Sequence, residues 1–321
     1  MGQLRGTLAE VGEFGLVSAL AERFAPGDDD RVVVGPGDDA AVVQVGGGQV
    51  VASLDMLVQG RHFRLDWSSA LDIGHKAAAE NLSDINAMGG RPTSLLVGLG
   101  APPDLEAAWA MEFADGIAEE AALVGASVVG GDLTRADAIT ISIAVLGVCE
   151  HAVVRRSGAR PGDVVALAGR QGWADAGFAV LGRGFRSPRV VVEAHRRPQP
   201  PYDAGPQAAE LGATAMIDVS DGLLQDLGHV AADSGVAIDV TSAGFDVAEP
   251  LQAVGAALGV DPMRFCLTGG DDYSLVATFP SGTELPQPWR RIGSVLESGE
   301  PGTVTVDGAE YEDAGGHQHF R

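Results

Sequence analysis

"AMIDVSDGLLQDLGHV", residues 215–230, changes its period halfway along. The stretch up to Asp218 is a short apolar run ending in a carboxylate, which reads as a buried strand over 214–218. From Gly222 the apolar residues recur at helical spacing, which predicts a helix over 222–233. Asp218 ends the strand, and Ser220 and Asp221 fall in the turn between them. Carboxylates gathered at strand ends are how α/β folds build sites. The same order of an apolar run, then Gly or Ser, then Asp recurs in four more places. These are "VVVGPGDDAAVV" (32–43), "VVASLDM" (50–56), "NLSDINAMGG" (81–90) and "ASVVGGDLTR" (126–135). Any one of these aspartates could serve only as a turn residue or a helix cap. Five such segments together are harder to dismiss.

Outward from these segments, strands are predicted at 32–34, 41–45, 49–54, 93–99, 126–129 and 138–148. One helix is predicted over 70–88, capped by Ser68 or Ser69 and stopped by Gly89. Another is predicted over 105–123, capped by Asp104 and stopped by Gly125. The polar connector "EHAVVRRSGARPGD" (150–163) divides the chain into expected domains at 1–150 and 151–321. The second half predicts strands at 164–168, 214–218, 236–240, 273–279 and 303–306. Its helices are predicted at 173–182, 222–233 and 247–258. The class is α/β (α+β) with mixed sheets, because the last strands have no helices between them.

The 321 residues carry a net charge of −23, which argues against nucleic acid and against an anionic membrane surface. The longest apolar stretch, 138–149, is too short to span a bilayer. The N-terminal "MGQLRGTLAEVGEFG" has no apolar signal core. Cys149 and Cys266, the only cysteines, make neither a zinc site nor a disulfide framework. A cytoplasmic location is the simplest expectation.

The lysine-bearing phosphate loop, the dinucleotide glycine fingerprint, the zinc-protease motif and the protein-kinase signatures are all absent. Lys76 is the only lysine. Carboxylates without cysteine ligands suit hard cations bound through oxygen, and the Ca²⁺-loop pattern is missing, so Mg²⁺ is expected. Mg²⁺ is usually held by one or two carboxylates together with substrate phosphates, and ATP fits that requirement. The glycines of "GGD" (130–132) and "GPGDD" (35–39) allow backbone N–H groups to approach phosphate oxygens. Arg135 and Arg156 are available to pair with phosphates. On helix 70–88, Lys76, Glu80 and Asp84 share one face at i, i+4 and i+8. That face is either an ordinary salt-bridged surface or one turned into a shared site.

These segments, together with "GEFGLV" (12–17), "DMLVQGRHF" (55–63), "RRSGARPGD" (155–163), "LTGGDDYSLV" (267–276) and the ending "GGHQHF", stand in a familiar order. The chain resembles the thiamine-monophosphate kinases, of the ATP-binding superfamily of aminoimidazole-ribonucleotide synthetase and selenophosphate synthetase. The resemblance implies phosphorylation of thiamine monophosphate by ATP to thiamine diphosphate. It also implies a PurM-like two-domain architecture and a homodimer whose N-terminal sheets pair. By position, Asp39, Ser53, Leu54, Asp55, Asp84, Asp132, Asp218 and Asp221 would hold Mg²⁺, with Leu54 offering only its carbonyl. Gly131, Asp132, Arg156 and Ser220 would contact ATP, while His62, Asp271 and His317 would face the acceptor. Two positions depart from the family's pattern. Asp271 stands where the family usually has Glu, and His317 where it usually has an aromatic residue. Another ATP-dependent synthetase of the superfamily, and a non-catalytic nucleotide- or metal-binding regulator, are the alternatives.

Overall fold

Residues 32–34, 38–45 and 48–312 are described by the computed structural model of the chain. His317, "GEFGLV" and "GGHQHF" lie outside the described residues.

The first half forms one six-stranded sheet. Its strands are β1 (Val32–Val34), β2 (Ala41–Val45), β3 (Gly48–Val58), β4 (Arg91–Ala101), β5 (Ser127–Arg135) and β6 (Thr140–Val148). They lie in the order β1-β2-β3-β6-β4-β5, and β4–β5 is the one parallel pair. Two helices, α1 (Ala70–Ala87) and α2 (Ala107–Leu123), cover one face. The second half forms another six-stranded sheet, of β7 (Val164–Ala168), β8 (Ala215–Val219), β9 (Ile238–Val240), β10 (Ser274–Phe279), β11 (Arg290–Val295) and β12 (Val304–Val306). Its order is β12-β9-β11-β7-β10-β8, parallel only at β12–β9. Its helices are α3 (Trp173–Gly182), α4 (Arg189–Arg196), α5 (Ala204–Glu210), α6 (Leu223–Ser234), α7 (Glu249–Leu258) and α8 (Met263–Thr268). Two mixed sheets with helices agree with the α/β (α+β) expectation.

Helix α1 is central. Ser69 caps it through a reciprocal box with Asp72, which satisfies donors at its first turn. Buried residues lie on almost every face, as in a helix enclosed by protein on all sides. One face meets α2 so closely that a Cβ on Gly74 would stand 2.2 Å from the Phe113 carbonyl oxygen. A Cβ on Gly116 would stand 2.2 Å from that of Leu71. Another face meets β8 of the second sheet. Asn86 at the C-terminal end of α1 bonds Pro201 and Gly205. The connector after Cys149 is stitched to both halves, with Val154 N donating to Met88 O and Met216 N to Arg155 O.

Several sequence expectations are corrected. β3 runs on to Val58 and β5 to Arg135, so Asp55 and Asp132 lie within strands rather than in turns after them. Pairing explains this, because β6 carries β3 through Val58 and β4 carries β5 through Arg135. Asp104 does not cap α2, which begins at Ala107 after an N-cap Glu106 that makes no side-chain cap bond. Strand β11 went unread because Arg290, Arg291 and Gly293 interrupt its apolar pattern. Helices α4, α5 and α8 have six to eight residues each, beside prolines, which leaves too little periodicity to read.

Candidate active site

The acidic segments converge where α1 lies between the two sheets. Asp55 is on β3, Glu80 and Asp84 on successive turns of α1, and Asp218 near the end of β8. Asp39 enters just before β2. Ser53 Oγ donates to Asp84 Oδ2 at 2.6 Å and lies 3.1 Å from the Asp39 carbonyl, joining three of these segments. Asp55 N donates to Asn81 Oδ1 at 3.0 Å, which fixes β3 against α1.

Burial and mutual repulsion dominate the electrostatics. Burial, then the charges of Asp55 and Asp218, raise the Asp84 carboxyl well above the usual range. Burial and Asp39 push Asp218 up to about 8. Asp55 is raised by burial, opposed by a side-chain hydrogen bond with Asp84 and reinforced by the Asp39 charge. Glu80 is raised well above its usual value by burial, then by Asp55 and Asp271. Arg156 and Lys76 bound this row of acids. Arg156 Nε donates to Asp39 Oδ1 at 2.9 Å, with Nη2 on the same oxygen, and its backbone N–H meets Asp38. Burial still raises Asp39, against the pull of Arg156. At the other end Lys76 Nζ lies 2.6 Å from Asp271 Oδ2.

These residues fit a divalent cation. Asp39 Oδ2 is buried without a hydrogen-bond partner among the described residues, a cost that a bound cation would remove. Among the described residues no three acidic, histidine or cysteine side chains close on one ion-sized point.

The turn after β8 is tightly organised. Asp221 N and Gly222 N both donate to Asp226 Oδ2, at 3.2 and 3.0 Å, so Asp226 holds the turn. Gly222 has φ +133, and a Cβ there would stand 2.5 Å from the Thr268 carbonyl oxygen. Ser220 is exposed, and its carbonyl accepts from Asp271 N at 2.9 Å. Thus Asp218, Ser220, Asp221 and Asp271 form one neighbourhood. His62 sits in the turn after β3, its Nδ1 accepting from Val58 N at 2.9 Å, which leaves the proton on Nε2.

Gly131 and Asp132 are not brought to this cluster within one chain. Directly paired residues share a sheet face. Asp55 pairs with Ile143, Ile143 with Val97 and Val97 with Gly131. Asp132 belongs instead to the next row, with Gly98, Ser142 and Met56, on the opposite face. It is also three strand spacings from β3, about 14 Å. The Leu54 side chain points to that same outer face and is exposed. Spacing on α1 placed Glu80 and Lys76 on the face of Asp84 and left open whether that face met solvent or a site. The turn-holding role of Asp226, and Tyr273 beside Asp271, were not legible, because backbone contacts made by the folded turns define both.

Comparison with known proteins gives the family. Residues 37–149 match the family model described as AIR synthase related protein, N-terminal domain. A thiamine-monophosphate kinase of Mycobacterium tuberculosis is 46% identical over 317 residues, covering 98% of this chain and 93% of that protein. One from Corynebacterium glutamicum is 35% identical over 311 residues, covering 94% and 91%. The solved structure of AaThiL complexed with AMPPCP and TMP superposes with a TM-score of 0.89 at 32% identity, covering 99% of this chain and 100% of that one. Likeness at these identities, along the whole length and through both sheets, means that the chain belongs to the thiamine-monophosphate kinase family.

Proposed function

We propose that this chain transfers the γ-phosphoryl group of ATP to the phosphate of thiamine monophosphate, giving thiamine diphosphate and ADP. The observation that carries the reading is the row of mutually repelling carboxyls, Asp39, Asp218, Asp55, Asp84 and Glu80, set between Arg156 and Lys76. The relative solved with AMPPCP and TMP supports both substrates.

The acceptor is already an anionic phosphate, so its own oxygen attacks the γ-phosphorus while the bond to the β–γ bridging oxygen breaks and ADP leaves. Such a transfer needs positioning and charge compensation more than a protein nucleophile. Both thiols agree, since burial pushes Cys149 up to about 11 and Cys266 up to about 12, leaving them protonated. The transfer is direct and in line, with no phosphoenzyme. Bound Mg²⁺ would supply positive charge to offset that of the phosphates. Asp39, Asp55, Asp84, Asp218 and Asp221 would hold it, with Ser53 and the Leu54 carbonyl alongside. Arg156 and Ser220 face ATP, and His62 and Asp271 face the acceptor; by family position His317 would contact it too.

The working unit is a homodimer. The outer face of the first sheet is apolar and open, with Leu54, Met56, Leu96 and Leu146 exposed. Isolated exposed apolar residues are ordinary, but a contiguous patch on a sheet face marks an interface. Gly131 and Asp132 lie on its edge strand, so pairing this face with a second copy offers Asp132 a route into the partner's site. The division at residue 150 separates an ATP- and Mg²⁺-binding domain from a C-terminal one.

The test is ADP release from ATP and Mg²⁺, with and without thiamine monophosphate, alongside detection of thiamine diphosphate. Equal amounts of both products, formed only with the acceptor, support the reading. Untouched ATP, or ADP without thiamine diphosphate, rejects it.

A further inference from the structure

Lys76 reaches from α1, in the first half, to the turn before β10, in the second. The ion pair with Asp271 joins residues 195 positions apart. The lysine side chain is 5% exposed and the aspartate side chain 42%, so the cation lies inside and the carboxylate at the cleft wall. The turn that presents Asp271 has little freedom. Asp271 and Tyr273 both hold left-handed backbone, at φ 64 and 50, a strained conformation for such residues. Tyr273 N bonds the Val219 carbonyl at 3.1 Å. A Cβ on Gly270 would stand 2.0 Å from the Ser220 carbonyl oxygen. Asp272 between them is anchored by Gly172 N at 2.6 Å and Ala174 N at 3.0 Å. With the backbone fixed, Lys76 on Oδ2 at 2.6 Å, more than the Tyr273 hydroxyl on Oδ1 at 3.5 Å, decides where the Asp271 carboxylate aims.

The charges around this end are unequal. Glu80 and Asp175 both feel Asp271; Arg264 opposes Asp175, and Lys76 is the cation that opposes Glu80. An acidic pocket of this kind attracts a cation and repels a phosphate. The proposed acceptor carries both, a cationic ring and an anionic phosphate.

Resting on the kinase reading above, we propose that Lys76 is a specificity-determining positioning residue. By holding Asp271 and cancelling one acidic charge, it makes this end of the cleft accept the phosphorylated, doubly charged acceptor over the bare cation thiamine. Lys76 and Asp271 therefore pull the choice of ligand in opposite directions.

The test is calorimetric titration of the full chain, with Mg²⁺ and a non-hydrolysable ATP analogue, using thiamine monophosphate and thiamine as separate probes. Lys76→Met should weaken thiamine monophosphate about tenfold or more while leaving thiamine within about twofold, from loss of one nearby opposite charge. Asp271→Asn should shift the preference the other way, weakening thiamine more than thiamine monophosphate. Lys76→Arg should keep the wild-type preference. Should Lys76→Met fail to fold, the Asp271→Asn and Lys76→Arg shifts decide the matter. Equal weakening of both probes in Lys76→Met marks a merely structural residue and overturns the proposal. So does a shift in the same direction in Lys76→Met and Asp271→Asn. A wild-type chain that binds neither probe overturns the substrate reading, and this proposal with it.

Discussion

Arg156 Nε lies 2.9 Å from Asp39 Oδ1, so the connector between the sheets is clamped onto the start of the first sheet by residues 117 positions apart. The Asp39 side chain is 1% exposed and that of Arg156 25%. Removing one partner of a buried pair leaves the other uncompensated, and Arg156→Met should cost about 3 kcal/mol of stability. Urea unfolding checks this, and an unchanged midpoint would show that the clamp carries no stability.

Asp84 and Asp218 repel each other and Asp55 in a buried setting. Asp84→Asn and Asp218→Asn should therefore stabilise the Mg²⁺-free chain by about 1 kcal/mol or more. The same substitutions should lower turnover by roughly a hundredfold or more, because preorganised charge at the phosphates is lost. Thermal melts in chelator, paired with turnover assays, test both halves. A variant both less stable and fully active would contradict the placement of these carboxylates.

Leu96, on β4, is 44% exposed on the outer sheet face that Asp132 shares. Leu96→Glu should convert a dimer to a monomer by light scattering and abolish turnover. Subunit mixing probes Asp132 directly. Asp132→Ala and Asp218→Ala chains should each be inactive alone. If Asp132 serves the partner's site, random mixing should restore about a quarter of wild-type turnover, since half the dimers then carry one intact site. No recovery would assign Asp132 to its own chain.

His195 is buried against Trp67 and Phe178, at ring distances of 6.0 and 5.7 Å. Burial, then the nearby Lys76 charge, hold its imidazole down at about 3. An unfolded chain takes that proton near 6.5, so between these values the unfolded state binds more protons than the folded one. The contribution is whole above about pH 6.5 and is lost as pH falls toward 3. His195→Gln should flatten this part of the stability–pH curve, measured by urea midpoints between pH 7 and pH 4. A slope equal to wild type would show that the imidazole does not drive it.

Gly116 and Gly74 let α2 and α1 touch backbone to backbone. Gly116→Ala places a Cβ 2.2 Å from the Leu71 carbonyl oxygen, and the helices must move apart. Overpacking of this kind costs about 1–3 kcal/mol and should also loosen α1 under Asp84. A lowered melting temperature with weakened ATP-dependent turnover is the expected pair of results.

The sequence by itself determined the strand–turn–helix grammar, because apolar period and turn residues act locally. "AMIDVSDGLLQD" reads correctly as β8 leading into α6, and "NLSDINAMGG" as the end of a helix carrying Asp84. It also determined the family, through the order of its acidic segments. Spacing alone could not say whether Lys76, Glu80 and Asp84 face solvent or a site. The tertiary structure turned that face into the cleft, because α1 is enclosed between two sheets and its acids meet Asp55 and Asp218 from distant strands. Strand pairing likewise decided the face and distance of Asp132, since β5 takes its register from β4. The burial that raises these carboxyls and the ion pair between Lys76 and Asp271 arise only when segments distant in the chain pack together. Local periodicity carries no record of such contacts.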